Sequence, residues 1–297
     1  MNVLTLRAFF IAKESGELPP YLGSTLRGIL GHCLRDFACI APGVRCHLCE
    51  HSAGCGYAKY FCSPGNVAGA VNPYVIYTSI RDKTVWRTGD SCVFDITLIG
   101  ETVHSAGYYL DGLVAMGNRG WGAGRMRFSL EQVINPNSGT LVWSNGKSWL
   151  RNVSFSTISS NERKASGALI RFDSPTRVLI QRNLCRKLSF ATLVQSLTRR
   201  ISLLSHAYSN RLLPWDEEKL VAEAQRVRTV EEHWSSVDFK RYSINHDREL
   251  SLPAIEGWAR YEGDLTPFTP LLDAGTRLHV GKNATHGFGH YQVYYDR

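Results

Sequence analysis

One order of elements occurs twice in this chain, and that repetition constrains the architecture more than any other feature of the sequence. Near mid-chain a helical apolar period from about Val103 to Met116 runs into GNRGWGAGR, Gly117 to Arg125, and then into a strand pattern, Met126 to Val133. Close to the end, Pro267 to Ala274 reads as helix, LHVGKNATHGFGHY follows from Leu278 to Tyr291, and Tyr291 to Tyr295 alternates at strand spacing. Each half therefore ends in helix, glycine-rich basic loop and strand.

The preceding elements complete the pattern. Met1 to Ala12 alternates like a strand and a helix starts near Leu22; strands follow around Tyr74 to Ser79 and Ser91 to Ile99. In the second half, Ala168 to Phe172 reads as a strand and Ser189 to Tyr208 as a long amphipathic helix with a serine cap. A shorter helix lies near Asp216 to Arg226. Two strand runs, His233 to Ile244 and Leu250 to Tyr261, flank the turn Asn245 to Arg248 and place Lys240, Arg241 and Arg248 near its tip. Each half is thus β-α-β-β-α-β, the split βαβ order of ferredoxin-like domains. The expected fold class is α+β, with two tandem ferredoxin-like (RRM-like) domains at 1–145 and 150–297. The turn-rich segment Asn135 to Lys147 is either the linker between them or a hairpin. Sheets of this kind have an open face suited to single-stranded RNA.

Charge points the same way. A formal net charge of +8 and a pI near 9.1 favour a polyanionic partner over an acidic-surface one, although an ordinary basic protein has the same totals. No apolar run reaches the roughly 18 residues of a membrane span. The opening MNVLTLRAFFIAK alternates and lacks a small-residue cleavage site, so no membrane partner and a cytoplasmic location are expected.

Of the eight cysteines, five fall between Cys39 and Cys62. Cys39, Cys46, Cys49 and Cys55 give C-x6-C-x2-C-x5-C, a knuckle whose thiolates can complete a tetrahedron in a segment too short for its own core. Structural zinc is the expected occupant of this insertion, residues 39–62. Cys62, His47 and His51 are further donors, so the final set of four stays open, as does an iron-sulfur cluster.

On a 3.6-residue period the first helix buries Leu22, Leu26, Ile29, Leu30, Cys33, Leu34 and Phe37, and turns Thr25, Gly28, His32 and Arg35 the other way. His32 is thus placed on a polar face, facing either a ligand or another part of the protein. Gly28 and Gly31 each cost a helix roughly 0.8–1 kcal/mol relative to alanine, which close packing or a ligand would explain.

The C-terminal loop is not a nucleotide-binding phosphate loop. Five residues separate Gly275 from Gly281-Lys282 where four are needed, Asn283 replaces the magnesium-binding Ser or Thr, and a strand follows instead of a helix. Its glycines, 281–289, and its donors suit phosphates through bare N–H groups, and a ligand-free tight turn is the alternative.

The segments LRGILGHCLRDFAC, the C-x-x-C knuckle with CGYAKYF, GNRGWGAGR, RYSINHDRELSLPAIEGWARYEGDLTPFTPLL and LHVGKNATHGFGHY together resemble the CRISPR-associated endoribonucleases of the RAMP superfamily that cut precursor CRISPR RNA within its repeats. The likeness spans nearly the whole chain, the GKNATHGFG loop being its most specific part. It implies binding of repeat RNA and metal-independent cleavage, with the ribose 2′-OH attacking the phosphate to leave 2′,3′-cyclic phosphate and 5′-OH ends. It also implies a histidine from the first helix, often with a tyrosine nearby, which makes His32 and Tyr21 the catalytic pair here, with Arg27, Arg35 and His286 as alternatives. Arg27, Arg119, Arg125, Lys240, Arg241, Arg248, Lys282, Asn283, Thr285 and His286 become the RNA-binding candidates. Subunits of a CRISPR effector complex are expected partners, and a non-catalytic subunit that only holds guide RNA in such a complex is the competing function.

Overall fold

The computed structural model describes residues 1–62, 71–209, 215–243 and 248–296. It is a mixed α/β chain with antiparallel sheets that separates into two compact units, Met1–Thr157 with Leu203–Arg211, and Ile158–Ser202 with Leu212–Arg297.

In the first unit β1 (Asn2–Ala12) is followed by α1 (Gly23–Ala38), β2 (Tyr74–Tyr77), β3 (Ser91–Ile99), α2 (Ala106–Arg119), β4 (Phe128–Asn135) and β5 (Thr140–Ser144). The sheet order is β2-β3-β1-β4-β5, so β1 is central. Its alternation decides this: Leu4, Leu6, Ala8, Phe10 and Ala12 all lie in the core with Leu26, Leu30 and Leu34 of α1 and Leu113 of α2. The other face carries cross-strand polar pairs, Thr5 opposite Thr97 with their hydroxyls 3.0 Å apart, and Arg7 opposite Asp95 in a two-pronged ion pair at 2.7 and 2.8 Å.

The apolar face read for α1 is buried except at its end, where Phe37 is 56% exposed beside the cysteine segment. Gly31 has a packing reason: a Cβ there would sit 2.5 Å from the Phe61 ring. Gly28 has none, since nothing lies within 4 Å of a Cβ at that position. Gly112 lets α2 close onto Leu34 in the same way. The Asn135 to Lys147 segment forms a hairpin, Asn135 pairing with Thr140, and is not a linker; the first unit continues to Thr157.

The second unit runs β6 (Gly167–Thr176), α3 (Phe190–Tyr208, of which the residues up to Ser202 belong to this unit), α4 (Glu217–Ala224), β7 (Arg228–Ser243), β8 (Arg248–Glu262), α5 (Thr269–Leu278) and β9 (Tyr291–Asp296). The order within its sheet is β7-β8-β6-β9. Ser189 caps α3 by accepting the Thr192 N–H at 3.2 Å, and Asp216 caps α4 by accepting that of Lys219 at 3.0 Å. Leu193, Val194, Leu197 and Ile201 form the buried stripe of α3. β7 and β8 pair from Arg228 and Glu262 to Ser243 and Arg248, whereas β8 pairs with β6 only as far as Ile255. Val237 to Ser243 and Arg248 to Ala254 therefore run beyond the sheet as a two-stranded ribbon. Among the described residues no helix is long and apolar enough to cross a membrane.

Candidate functional site

The second half of α1 gathers the polar cluster of the first unit. His32 is exposed, Arg35 and Asp36 lie one turn further along the same helix, and Arg119, the last residue of α2, forms an ion pair with Asp36. The His32 imidazole is held below the usual histidine range, first by partial desolvation, then by Arg119; Asp36 opposes this and Arg35 adds to it. A histidine so placed is neutral near pH 7 and able to accept a proton, with cations beside it to stabilise developing negative charge. Arg35 also donates to the Pro42 carbonyl and lies against the Cys39 thiol, which raises its own pKa. Helical spacing from His32 was enough to find Asp36; the expectation missed it by looking only for bases and cations.

The other expected partners are placed differently. Tyr21 lies outside α1, two residues before its start, and forms an isolated bridge with Arg81, whereas His32 stands in the second half of the helix. Arg27 is turned inward: its guanidinium lies 5.4 Å from the centre of the Phe61 ring, and Tyr74, first among its neighbours, raises its pKa. That position serves packing and removes Arg27 from an RNA surface. Arg125 is exposed on the first glycine loop at φ 50°, where the Trp121–Met126 bridge closes the turn.

In the second unit the glycine loop is closed by its own backbone. The N–H groups of Gly287 and Gly289 donate to Ala284 O and Pro175 O at 2.9 and 2.8 Å, Lys282 N–H donates to Arg177 O at 2.8 Å, and Val280 N–H returns to Gly289 O at 2.9 Å. The expectation that Gly287 and Gly289 offer bare N–H groups to phosphate is corrected by these bonds. The glycines serve close approach instead: at φ 76° a Cβ on Gly289 would fall 1.9 Å from Val280 O, and one on Gly281 2.4 Å from Arg177 O. Asn283 takes the left-handed conformation at φ 65°, His286 is buried, and the Thr285 hydroxyl lies 3.3 Å from His286 Nδ1. Lys282 is the exposed cation of the loop.

Two histidines flank this loop. His279 ends α5 with φ 61° and ψ 164°, a strained geometry for a side-chain-bearing residue, held by its N–H to Gly275 O at 2.8 Å and by Nδ1 at 2.9 Å from Phe288 O. A carbonyl only accepts, so Nδ1 carries the proton. Burial, then His290, push its pKa well below the usual value. Arg200, also buried, donates to Leu278 O at 2.8 Å, and desolvation lowers its pKa to about 10. His290 pairs with Asp173 at 2.5 Å, a contact across 117 residues that no local pattern announces.

The ribbon is anchored on the loop. Phe239 meets Phe288 edge-on at 5.5 Å, and Arg177 Nη1 donates to Pro253 O at 2.5 Å. Lys240 is exposed on it. The backbones of Arg241 and Arg248 lie on β7 and β8; their side chains, and residues 244–247 of the expected turn, lie outside the described residues.

Cys39, Cys46, Cys49 and Cys55 line one cavity of about 440 Å³ with His51 at its edge. The Cys62 thiol adjoins that of Cys46, and burial pushes its pKa to about 12. His47 is exposed and outside the cavity lining. Short turns, Cys46–Leu48 and Ser52–Gly54, and the one-turn helix Gly56–Tyr60 build the segment, and Ile40, Val44 and Leu48 are exposed on it. It has no core of its own. The donor set fits a thiophilic ion, although among the described residues no three His, Cys, Asp or Glu side chains stand close enough to share one.

Two antiparallel mixed α/β units, each ending in helix, glycine loop and strand and each bearing exposed cations, define the class to which known proteins can be compared. Residues 170–291 match the family model described as CRISPR-associated endoribonuclease Cas6, and residues 1–155, more than half of the chain, match the N-terminal domain model AF_1859_N. The chain belongs to the family defined by the AF_1859_N N-terminal domain, and its second half carries the match to the Cas6 endoribonuclease model. A protein of Archaeoglobus fulgidus described as uncharacterized is 22% identical over 93% of both chains. Among solved structures, Cas6 of Thermus thermophilus aligns with a TM-score of 0.58 at 12% identity, covering 98% of both chains. A chain of a partial Cas6-RT-Cas1–Cas2 complex aligns with a TM-score of 0.61 at 15% identity; this protein, 99% covered, spans 46% of that longer chain. These structural likenesses show a shared fold.

Proposed function

We propose that the protein cleaves precursor CRISPR RNA within its repeats by metal-independent transesterification. The observation that carries this reading is the exposed, neutral-leaning His32 set among Arg35, Asp36 and Arg119 on α1 and α2. His32 takes the proton of the ribose 2′-OH as that oxygen attacks the adjacent phosphorus. The bond to the 5′-oxygen breaks, and the leaving oxygen takes its proton from solvent water, the proton on His32 being returned to solvent afterwards. The products are a 2′,3′-cyclic phosphate and a 5′-OH end. Arg119, beside His32, supplies positive charge for the phosphorane. The match of residues 170–291 to the Cas6 endoribonuclease model supports RNA cleavage, and solved Cas6 complexes with a product and with a substrate mimic, which share this fold, support repeat RNA as the partner.

Lys240, Lys282 and Arg125 are exposed and hold the RNA backbone; Arg241 and Arg248 are assigned to the same role by their places on the ribbon. Asn283 and Thr285 shape the loop around Lys282. We read both units as ferredoxin-like, since each sheet runs second-third-first-fourth in chain order with helices after the first and third strands. The cysteine segment is an insertion held by one zinc ion through Cys39, Cys46, Cys49 and Cys55, a structural role, with Cys62 next to Cys46 as the reserve donor. The Cas6-RT-Cas1–Cas2 complex supports other CRISPR proteins as partners.

The test is product analysis. RNA cut by this protein should take a 5′-end label without prior dephosphorylation, because its 5′ end is already a hydroxyl, while its 3′ end should become ligatable only after the cyclic phosphate is opened and the resulting phosphate removed. Products with 5′-phosphate and 3′-OH ends would overturn the mechanism.

A further inference from the structure

A second cavity in the first unit, about 420 Å³, lies away from the cysteine segment, where the end of α2 meets the start of β4. Val114 of α2 and Phe128 and Leu130 of β4 line it on the apolar side together with Trp143 of β5, which is partly buried against the core. Lys13, Asn118 and Arg127 form the polar rim. None of these residues belongs to the His32 cluster or the C-terminal glycine loop; Asn118 lies in the first glycine loop, next to Arg119.

We propose that this cavity holds one unpaired nucleotide of the RNA, its base against Trp143 and its phosphate on Lys13. Three observations combine. A cavity of this volume lies in the range of small-ligand sites and is too small for a protein element. An aromatic plane beside cations is the chemistry that seats unstacked bases of single-stranded RNA, since every base offers a π face and every linkage a charge. The rim groups are not equally committed. Arg127 is tied to Glu14, its Nε 3.2 Å from Oε2 and its N–H 2.8 Å from Oε1, so it shapes the rim. The Lys13 ammonium and the Asn118 amide make no side-chain hydrogen bond among the described residues, leaving the ammonium for a phosphate and the amide for a base edge. The inference rests on the RNA-processing reading and extends it by a subsite.

The probes are adenosine 5′-monophosphate, adenosine, and a mixed-sequence oligoribonucleotide, read by fluorine NMR of the full chain labelled with 5-fluorotryptophan. The seven tryptophans give separate signals, and Trp143→Phe assigns the one that matters. The monophosphate and the oligomer should both shift the Trp143 signal, with adenosine binding more weakly. Lys13→Ala, a change at an exposed side chain, should weaken the monophosphate by about tenfold, the worth of one charge-assisted hydrogen bond, and leave adenosine unchanged. A Trp143 signal unmoved by both monophosphate and oligomer overturns the inference, as does equal binding of monophosphate and adenosine in the unaltered protein. Failure is distinguishable from that of the parent reading: repeat RNA cut to cyclic ends with Trp143 unmoved rejects the subsite alone. A Trp143 response without any cleavage supports the subsite and rejects the ribonuclease.

Discussion

Arg119, at the last position of α2, ion-pairs with Asp36, which stands one helical turn beyond His32 on α1. The pair brings a cation and an anion to the same imidazole with opposite effects on it, and desolvation together with Arg119 prevails. If His32 is the base, cleavage under kcat/KM conditions should fall toward acid with a midpoint below about 6.5, the unperturbed histidine value. Arg119→Ala should move that midpoint up and Asp36→Ala should move it down. A midpoint indifferent to both would show that another group titrates.

His279 predicts how stability follows pH. Its folded pKa is depressed by burial, so below about 6.5 the unfolded chain binds a proton that the folded one refuses. Stability is therefore fully present above that value and is lost as pH falls, by about 1.4 kcal/mol per unit from this group. Urea titrations from pH 7 to 5 should show the decline. His279→Gln, which keeps an N–H donor for Phe288 O but does not titrate, should flatten the slope.

Gly289→Ala should destabilise the second unit by more than the roughly 1–3 kcal/mol of backbone strain alone, because the added methyl also meets Val280 O. Lys282→Ala, by contrast, should leave stability alone and reduce the salt slope of RNA binding by about one phosphate contact. Chemical denaturation and binding at several salt concentrations separate the two effects. A Gly289→Ala protein of unchanged stability would refute the packing role of the loop.

Purified protein should contain about one zinc per chain, and chelation should lower its melting temperature, since the cysteine segment exposes Ile40, Val44 and Leu48 and has no core to hold it. Cys46→Ser with Cys49→Ser should remove the metal. Metal-free protein with unchanged melting and activity would end the assignment.

These cases show where the sequence was legible. The periodicities of α1 and α3 announced their buried stripes, because helix burial is a local pattern repeated every turn; Leu26, Leu30 and Leu34 needed nothing distant to be read. The β7–β8 hairpin was readable for the same reason. The glycine loop was found but its chemistry inverted: sequence tells that glycines permit bare N–H groups, whereas only the fold tells that Pro175 and Arg177 arrive to occupy the loop with their carbonyls. Arg27 looked like a surface cation because Phe61 and Tyr74, its cover, lie 34 and 47 residues away. The Asp173–His290 contact and the Lys13–Trp143 cavity depend on strand pairing and were invisible for that reason.

The central claim is that the RNA supplies its own nucleophile and His32 accepts its proton. The most direct measurement is cleavage of the cognate repeat RNA in excess EDTA, with and without a single 2′-deoxy substitution at the cut nucleotide, by unaltered protein and by His32→Ala. The account predicts full cutting of unmodified RNA, none of the deoxy substrate although it binds as well, and a loss of roughly 10²- to 10⁴-fold in the His32 variant without loss of affinity. Cleavage of the deoxy substrate at the same position would contradict it.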